Sequence, residues 1–428
     1  MQSPAALFSC LSASEADMNS TESSDTCVVL ANPARKVVRP AATRIGAKIP
    51  DDILQDPLLN AAIKVLPSNY NFELHKTIWR VKQLDAKIVG LQLPEGLLLY
   101  ATTLADIIEQ FTECEEVVIM GDVTYGACCI DDFTAKSLGV ELLVHYGHSC
   151  LVPIDRTSSI KVLYVFVDIK IDILHFIESV KINFPKDQTL AFVSTVQFIS
   201  SLHGAAAELR QIGYNIVIPQ AKPLSAGEIL GCTSPNLESK VDAIIYLGDG
   251  RFHLESAMIC NPSIPAYKFD PYDKKFTIEE YDHEMMLSFR KESVEKAFKA
   301  GTFGLVLGTL GRQGSPAVLS TLLDRVKSSN LESVVVLLSE IFPQKLNLFG
   351  PSIDAWVQVA CPRLSIDWGR AFDKPLLTPF EFNMTLRKNS TLLKDGHYPM
   401  DYYEHESRGD WTPNHRHSKC DCESGKCC

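Results

Sequence analysis

The chain has no long apolar run and no excess of positive charge, and each absence excludes a class of function. Its most apolar segment, residues 88–108, is interrupted by Pro94, Glu95 and Asp106, whereas a membrane-spanning helix needs about 20 consecutive apolar residues. The first residues lack the charged and apolar regions of a secretory signal. The formal net charge of −11 predicts no broad basic face for a phosphate backbone. We therefore predict a cytoplasmic protein with no membrane partner and no direct nucleic-acid partner.

The overall composition is that of a globular protein. The 428 residues are 46% hydrophobic and 22% charged, and a chain of this length is expected to form roughly two to four domains. The 13 cysteines are an odd number, and a reducing compartment disfavours disulfides. The cysteines are therefore expected to be metal ligands, catalytic groups or small core residues, depending on their positions.

One pattern occurs three times along the chain: strand, turn, helix and strand, with a cysteine in a later loop. The predicted strands are 88–93, 117–120 and 141–145, then 190–193, 215–218 and 243–247, then 303–308, 333–338 and 355–359. The corresponding cysteines are Cys128, Cys232 and Cys361. Helices alternating with short buried strands indicate parallel sheets with right-handed crossovers. Three such units predict an α/β protein made by triplication of one domain.

The predicted domain boundaries follow changes in composition. Residues 1–50 have few large apolar side chains, which predicts a disordered N-terminal extension. The first α/β domain is expected at 51–182, beginning with helices at 51–66 and 72–84, the second at 183–300 and the third at 301–387, with linkers near 181–188 and 272–301. Residues 388–428 form a tail that ends in Cys420, Cys422, Cys427 and Cys428. These tail cysteines could bind a metal or have no function.

The three repeat cysteines are the strongest candidates for chemistry. A single cysteine near a strand end is most often a small buried residue, but three in equivalent loops predict a shared site. Their separations in sequence are too long for a zinc finger or a ferredoxin motif. If the three domains pack around a pseudo-threefold axis with their strand ends inward, three thiolates converge on it. Three thiolates suit a [4Fe-4S] cluster with one open iron, which can bind the amino and carboxylate groups of a substrate.

A zinc site and two ligand-binding turns are further possibilities from the sequence. Zinc held by three thiolates and a water is an alternative, and His145, His148 and Cys150 could supply ligands or form an ordinary polar loop. The turns 248–251 and 308–314 could cradle a carboxylate or a ribose. Neither turn has the spacing of a G-x-G-x-x-G or Walker A loop, so ordinary strand-to-helix turns explain them equally well.

Four stretches of the chain resemble the diphthamide synthesis proteins of the eukaryotic type. They are Gly121-Asp122-Val123-Thr124-Tyr125-Gly126-Ala127-Cys128-Cys129, His145-Tyr146-Gly147-His148-Ser149-Cys150, Gly227-Glu228-Ile229-Leu230-Gly231-Cys232-Thr233-Ser234 and Val359-Ala360-Cys361-Pro362-Arg363-Leu364-Ser365-Ile366-Asp367. The likeness runs from about residue 49 to residue 414 and includes the segments 398–402 and 411–414. It implies three domains around a central [4Fe-4S] cluster held by Cys128, Cys232 and Cys361, and it makes Cys129 a packing residue.

The resemblance also implies an activity. Proteins of this family cleave S-adenosylmethionine with a reduced [4Fe-4S] cluster and transfer its 3-amino-3-carboxypropyl group to a histidine of elongation factor 2. No catalytic residues beyond the cluster ligands are expected, and Gly248, Asp249 and Gln313 are the candidates for S-adenosylmethionine binding. The implied partners are a related second subunit, forming a heterodimer, and a small metal-binding protein that donates electrons. Because all three cysteines are present, the chain resembles the catalytic subunit more than its partner.

Two alternative functions remain at this stage. A quinolinate-synthase-like enzyme also resembles three α/β repeats around a three-cysteine cluster, although the N-terminal extension and the four motifs argue against it. An electron-relay or scaffold subunit of the same complex would use its cluster only to pass electrons. The transferase is the leading prediction.

Overall fold

The computed structural model describes residues 48–121, 126–152, 157, 160–237, 241–388, 398–405, 407, 409 and 411–413. The chain divides into two units, Met1–Lys48 and Ile49–Cys428, and the described helices and strands belong to the second. Most of the extension predicted at 1–50, residues 122–125 of the first cysteine loop, and the four tail cysteines lie outside the described residues. None of the described helices is long and apolar enough to cross a membrane.

Three helices precede the first sheet: α1 (Asp51–Leu54), α2 (Pro57–Ile63) and α3 (Leu74–Leu84). The single helix predicted at 51–66 is split because Pro57 has no N–H to continue α1 and instead occupies the first turn of α2. The carboxylate of Asp56 caps α2 by accepting hydrogen bonds from the N–H groups of Leu58 and Leu59, at 2.8 and 3.1 Å. Between α2 and α3, β1 (Tyr70–Asn71) pairs antiparallel with β6 (Asp168–Ile169).

Four parallel strands form the first sheet. They are β2 (Ile88–Gln92), β3 (Glu116–Met120), β4 (Leu142–Tyr146) and β5 (Lys161–Val165), with helices α4 (Ala101–Phe111) and α5 (Asp132–Ser137). Their order is β3-β2-β4-β5. The sequence predicts β4 as the last strand, whereas β5 pairs along its other side and leaves every residue of β4 buried.

The second sheet has five strands. They are β7 (Thr189–Ser194), β8 (Asn215–Val217), β9 (Ala243–Leu247), β10 (Ala266–Asp270) and β11 (Lys275–Glu279), with helices α6 (Ile173–Asn183), α7 (Ile199–Gln211), α8 (Phe252–Cys260) and α9 (His283–Ala297). The order is β11-β10-β9-β7-β8, and every pair is parallel except β10 with β11. The segment 272–301, predicted as a linker, contains β11 and α9. No residue of β11 is fully buried, so its sequence shows no core-forming run.

The third sheet is wholly parallel. Its strands are β12 (Thr302–Gly308), β13 (Glu332–Leu338), β14 (Ala355–Val359) and β15 (Leu376–Leu377), with helices α10 (Pro316–Ser328), α11 (Pro343–Asn347), α12 (Pro362–Trp368) and α13 (Pro379–Leu386). The order is β13-β12-β14-β15. Every residue of β14 is buried, whereas β13 lies at the edge with Val334, Val335 and Leu337 exposed.

Each sheet draws its strands from one continuous part of the chain and packs its helices over its own apolar cluster. The predicted α/β class with several parallel sheets is confirmed. The domain boundaries at 51–182, 183–300 and 301–387 stay predictions.

Candidate functional site

The repeat cysteines lie in loops beyond the strands. Cys361 lies two residues after the end of β14, and Cys128 lies in the loop after β3. Cys232 lies between β8 and β9, in a loop where Leu230 and Thr233 form an isolated bridge. The carboxyl ends of strands are where open α/β folds bind ligands, so the positions of Cys128 and Cys361 are typical of a ligand site.

The loop with Cys128 is a tight turn at the end of the first sheet. The N–H of Cys129 donates to the carbonyl of Gly126, and the side-chain amide of Gln92 at the end of β2 donates to the carbonyl of Cys129, both at 2.9 Å. Cys128 is half-buried and Cys129 is buried, with their sulfurs 4.0 Å apart. The Gln92 contact therefore holds both thiols at the edge of the sheet.

The loop after β12 packs directly on this turn. The N–H of Arg312 donates to the carbonyl of Cys128 at 2.8 Å, and the side-chain amide of Gln313 donates to the sulfur of Cys129 at 3.2 Å. Gly311 has a φ of 55°, and a Cβ at this residue would lie 2.5 Å from the carbonyl carbon of Cys129. Only glycine allows this approach. Cys129, predicted as a packing residue, is buried and also holds Gln313.

An ion pair with little access to water joins the first and third sheets next to the cysteines. Arg312 donates from Nε and Nη2 to the carboxylate of Asp132, at 2.8 and 2.5 Å. Asp132 is fully buried at the start of α5, and the guanidinium lies 4.1 Å from the centre of the Phe133 ring. A bidentate pair is geometrically specific, so it fixes the two loops relative to each other.

Arg363, two residues after Cys361, joins the second and third sheets. It is buried and donates to the carbonyl of Gly231 at 3.4 Å and to that of Phe252 at 2.7 Å. The same guanidinium pairs with the carboxylates of Glu255 and Asp367. Because Gly231 precedes Cys232, one side chain connects the Cys232 loop to the start of α12.

Polar contacts also join the first and second sheets. The hydroxyl of Ser149 donates to the carboxylate of Glu228, and the side-chain amide of Gln197 donates to the carbonyl of Gly147. Ser149 and Glu228 are both buried. The three sheets are therefore connected pairwise around the cysteine loops.

The three repeat cysteines affect one another electrostatically. Burial, with a smaller contribution from the charge of Cys361, raises the pKa of Cys232 to about 12. A hydrogen bond with Cys129, burial and the charges of Cys129, Cys232 and Cys361 raise the pKa of Cys128. Burial also raises the pKa of Cys361. The hydrogen bonds of Arg312 and Arg363 hold the three cysteine loops next to one another, and thiolates gathered there need a cation to offset their charge.

Tyr403 reaches the same region from the C-terminal segment. Burial and the charges of Cys128, Cys232 and Cys361 raise the pKa of its phenol, and Tyr403 and Cys128 pack against the same small apolar cluster. The N–H of Tyr403 donates to the hydroxyl of Thr233 at 3.1 Å, which holds the segment next to the Cys232 loop. Sequence reasoning missed this residue because nothing local to the tail indicates three cysteines as neighbours.

His145, His148 and Cys150 do not gather into a metal site. His145 is fully buried, and its Nδ1 is hydrogen-bonded to Oε1 of Gln92 at 2.9 Å, while Cys150 is exposed. Burial lowers the pKa of His145 to about 3 and that of His148 to about 4. In the part of the chain that the structure describes, no three His, Cys, Asp or Glu side chains are arranged to hold one metal ion. The two histidines are neutral groups at the end of β4.

The chemistry of the repeat cysteines suits an iron–sulfur cluster, because thiolates are its usual ligands. A tetrahedral zinc ion lies about 2.3 Å from each sulfur and brings its sulfurs within about 4 Å of one another, and the described residues contain no group of three that is arranged for one ion. An iron–sulfur cluster is larger than one ion, and thiolates are its usual ligands. Thiols converging from three separate loops suit that larger group.

The three residues predicted to bind S-adenosylmethionine do not line one cavity. Asp249 lines a cavity of about 320 Å³ between the first and second sheets. Gln313 lines another of about 420 Å³, which also includes Cys361, and the two cavities have no lining residue in common. The N–H of Gly248 donates to the carbonyl of Phe269 at 3.1 Å, so this donor is already satisfied within the protein. Of the two cavities, the one beside Gln313 is the one that reaches a repeat cysteine.

The chain is similar to known proteins over most of its length. The sequence model of the diphthamide synthesis protein family matches residues 93–397, which include all three repeat cysteines. A Homo sapiens protein named 2-(3-amino-3-carboxypropyl)histidine synthase subunit 1 is 58% identical over 373 residues, covering 87% of this chain and 84% of the relative. The Schizosaccharomyces pombe protein of the same name is 58% identical over 381 residues, covering 87% and 86%. The crystal structure of Dph2 from Pyrococcus horikoshii with a 4Fe-4S cluster matches with a TM-score of 0.63 at 26% identity, covering 74% of this chain and 91% of that chain.

Proposed function

Because the chain belongs to the diphthamide synthesis protein family, we propose that it catalyses the first step of diphthamide formation. In this reaction the 3-amino-3-carboxypropyl group of S-adenosylmethionine is transferred to a histidine of elongation factor 2. The observation that carries the proposal is the contact among the three cysteine loops: the N–H of Arg312 donates to the carbonyl of Cys128, and Arg363, two residues after Cys361, donates to the carbonyl of Gly231 next to Cys232. The relatives named as subunit 1 of the synthase support the proposal, because this chain covers 84% and 86% of their lengths.

Cys128, Cys232 and Cys361 would hold a [4Fe-4S] cluster through their thiolates. The solved relative with such a cluster supports this assignment, and three thiolates leave one iron open for the amino and carboxylate groups of the co-substrate. When bound, the cluster supplies the electron that cleaves the bond between the sulfonium sulfur and Cγ, leaving 5′-methylthioadenosine. The new bond would form to a ring carbon of the acceptor imidazole, which would lose one proton to solvent and return one electron to the oxidised cluster, so the electron donor is needed to reduce the cluster before the reaction and the transfer itself is redox-neutral.

The chain's own residues position the ligands and exclude water. Arg312 and Arg363 tie the three cysteine loops to one another through buried or half-buried ion pairs. Gln313 holds the Cys128 turn through the sulfur of Cys129, and Tyr403 covers the cysteines from the C-terminal segment. None of these groups needs to act as a nucleophile, since the bound cluster would supply the bond-breaking electron.

The proposed partners are a related second subunit and a small metal-binding electron donor, in the reducing environment of the cytoplasm. The name subunit 1, carried by the relatives, supports a complex of more than one chain. The edge strand β13 offers a surface for the second subunit, with Leu337 61% exposed and Val334 43% exposed. Unpaired strand edges with apolar side chains readily bind other chains.

Anaerobic reconstitution with iron and sulfide tests the cluster assignment. The wild-type chain is expected to bind four irons per chain, and the EPR spectrum of the reduced cluster is expected to change when S-adenosylmethionine is added. Cys232→Ala is expected to abolish both signals, and Cys114→Ala, at a half-buried cysteine away from the three loops, serves as the matched control. A Cys232→Ala chain with an intact cluster and an intact spectral change would refute the three-cysteine site.

Mass spectrometry of elongation factor 2 tests the reaction. With the second subunit and a reductant present, the factor is expected to gain the mass of one 3-amino-3-carboxypropyl group. Cys128→Ala in this chain is expected to abolish the gain. If the factor is still modified by a complex carrying Cys128→Ala, this chain is a relay or scaffold and the catalytic assignment is wrong.

A further inference from the structure

Two adjacent thiols lie in the loop of the first repeat, and only one of them is a proposed cluster ligand. Cys128 and Cys129 occupy the last two positions of a turn that begins at Gly126, because the N–H of Cys129 donates to the carbonyl of Gly126 at 2.9 Å. The turn brings the two sulfurs to 4.0 Å from each other. Cys128 is half-buried and Cys129 is 2% exposed. A second, buried thiol therefore lies in contact with the proposed ligand sulfur.

The hydrogen bond between these two sulfurs has one possible direction when Cys128 holds a metal. A ligand thiolate has no hydrogen and can only accept, whereas a thiol that holds no metal has its S–H to donate. The donor is then Cys129 and the acceptor is the sulfur of Cys128. Such a bond to an ionised acceptor is stronger than one between two neutral thiols.

Gln313 contacts the Cys129 sulfur from the third sheet. Its side-chain Nε2–H donates to that sulfur at 3.2 Å. The loop is held against the turn at two further points. A Cβ at Gly311 would lie 2.5 Å from the carbonyl carbon of Cys129, and the N–H of Arg312 donates to the carbonyl of Cys128 at 2.8 Å. A sulfur that accepts an N–H donates its own hydrogen more strongly, because hydrogen bonds in a chain polarise one another.

The surroundings of Cys129 keep this arrangement rigid and away from water. Gln92, which is 3% exposed, donates from its side-chain amide to the carbonyl of Cys129 at 2.9 Å. The neighbouring Ala127 is 2% exposed. A hydrogen bond in such a buried site is electrostatically stronger than the same bond in water. The amide of Gln313, the thiol of Cys129 and the sulfur of Cys128 thus form a row of groups in the interior, which we call the thiol relay.

We propose that Cys129 is a positioning residue that donates its S–H to the Cys128 thiolate and raises the reduction potential of the bound cluster, with Gln313 orienting the donor. The inference rests on the proposed [4Fe-4S] cluster and requires neither the co-substrate nor the protein acceptor. A hydrogen bond to a ligand sulfur stabilises the reduced cluster, which carries one more negative charge. The thiol relay therefore lets a weaker electron donor reduce the cluster.

Potentiometric titration of the full-length, cluster-loaded chain, followed by EPR without S-adenosylmethionine, tests the thiol relay. At the wild-type midpoint, Cys129→Ala is expected to lower the ratio of reduced to oxidised cluster about tenfold, which is about 59 mV for a one-electron couple. Its iron content is expected to stay unchanged. Cys129→Ser keeps a donor and is expected to retain the wild-type potential. Gln313→Leu keeps both thiols and is expected to lower the potential by less than Cys129→Ala does. Cys260→Ala, at another buried cysteine on α8, is the matched control.

The exchangeable hydrogen of the thiol gives a second measurement. After exchange into heavy water, deuterium ENDOR of the reduced cluster is expected to show a coupled deuteron that Cys129→Ala removes and Cys260→Ala keeps. The spectra are recorded in the Tyr403→Phe chain, because Tyr403 packs in the same small cluster as Cys128 and its phenol would add another exchangeable hydrogen.

The outcomes separate the thiol relay from the cluster on which it rests. Equal potentials in Cys129→Ala and Cys260→Ala, or an unchanged deuteron signal in Cys129→Ala, would overturn the relay and leave the cluster in place. Loss of iron from both Cys129→Ala and Cys129→Ser would also reject it, since Cys129 would then hold the cluster itself. If Cys129→Ala alone loses its iron, Gln313→Leu decides, and an unchanged potential there overturns the relay. A wild-type chain that binds no iron would reject the cluster, and the relay with it.

Discussion

Tyr403 and Cys128 pack against the same small apolar cluster, and the charges of all three repeat cysteines act on the Tyr403 phenol. We therefore expect the phenol to donate a hydrogen bond to the Cys128 sulfur. Hydrogen bonds to ligand sulfur stabilise the more negative, reduced state of an iron–sulfur cluster. Tyr403→Phe is therefore expected to lower the reduction potential of the reconstituted cluster while leaving the iron content unchanged. A potentiometric titration followed by EPR measures the shift. Tyr267→Phe, on β10 of the second sheet, is the control, and equal potentials for the two variants would contradict the contact.

His145 makes the stability of the protein depend on pH. Burial, with a smaller contribution from His148, lowers its pKa to about 3, whereas an unfolded histidine titrates near about 6.5. The unfolded chain binds a proton between these two values and the folded chain does not. The contribution of His145 to stability is therefore fully present above about pH 6.5 and falls by about 1.4 kcal/mol per pH unit between that pH and its folded-state pKa.

His145→Asn is expected to reduce this dependence, because asparagine has no proton to bind in this range and can keep the hydrogen bond to Gln92. Urea unfolding of the variant and the wild type between about pH 7 and pH 5 measures the two slopes. His175→Asn, at an exposed histidine on α6, is the control. The same slope in all three proteins would show that His145 is not a buried neutral group.

Among the helices and strands, α9 and α13 are joined by a buried ion pair. Arg290 on α9 donates from Nε and Nη2 to both oxygens of Glu381, each at 2.6 Å, and both side chains are at most 1% exposed. Glu381 also forms a capping box with Thr378 at the start of α13 and accepts a hydrogen bond from Tyr398 at 2.9 Å. One carboxylate thus organises two helices and the start of the C-terminal segment.

Glu381→Gln is expected to lower the free energy of unfolding by about 3–5 kcal/mol, because it leaves the Arg290 charge buried without its partner. Urea unfolding measures the change. Glu292→Gln removes the exposed partner of Lys296 on the same helix and is expected to change the stability little. Comparable losses in the two variants would contradict the role of burial in this pair.

At the scale of the whole molecule, the edge strand β13 is the proposed contact with the second subunit. Leu337→Glu places a charge on this edge, where Leu337 is 61% exposed, and is expected to weaken the heterodimer at least about tenfold without unfolding the chain. Analytical ultracentrifugation of the mixed subunits measures the affinity. Ile278→Glu, 62% exposed on the edge strand β11 of the second sheet, is matched in exposure, and a loss confined to that variant would move the interface to the other edge.

Local pattern predicted the family and nine of the parallel strands, and it missed the parallel strands β5, β10 and β15 and the antiparallel strand β11. The resemblance carried by the motifs around Cys128, Cys232 and Cys361 is confirmed by the family match over residues 93–397. The strand β11 and the two-residue strand β15 were not predicted, because one has no fully buried residue and the other is too short to show a period. The assignment of Cys128, Cys232 and Cys361 as cluster ligands stays a prediction.

The repeated pattern of strands and helices, with one cysteine in each repeat, is predictable from the sequence alone because periodicity and turn residues depend on near neighbours in the chain. Contacts between distant groups are seen only in the folded structure. Arg312 binds Asp132, Arg363 reaches the Cys232 loop, and Tyr403 approaches the cysteines. The tertiary structure also separated Asp249 from Gln313 into different cavities. Contacts of this kind depend on how three sheets pack together, and packing between distant segments leaves no local pattern to read.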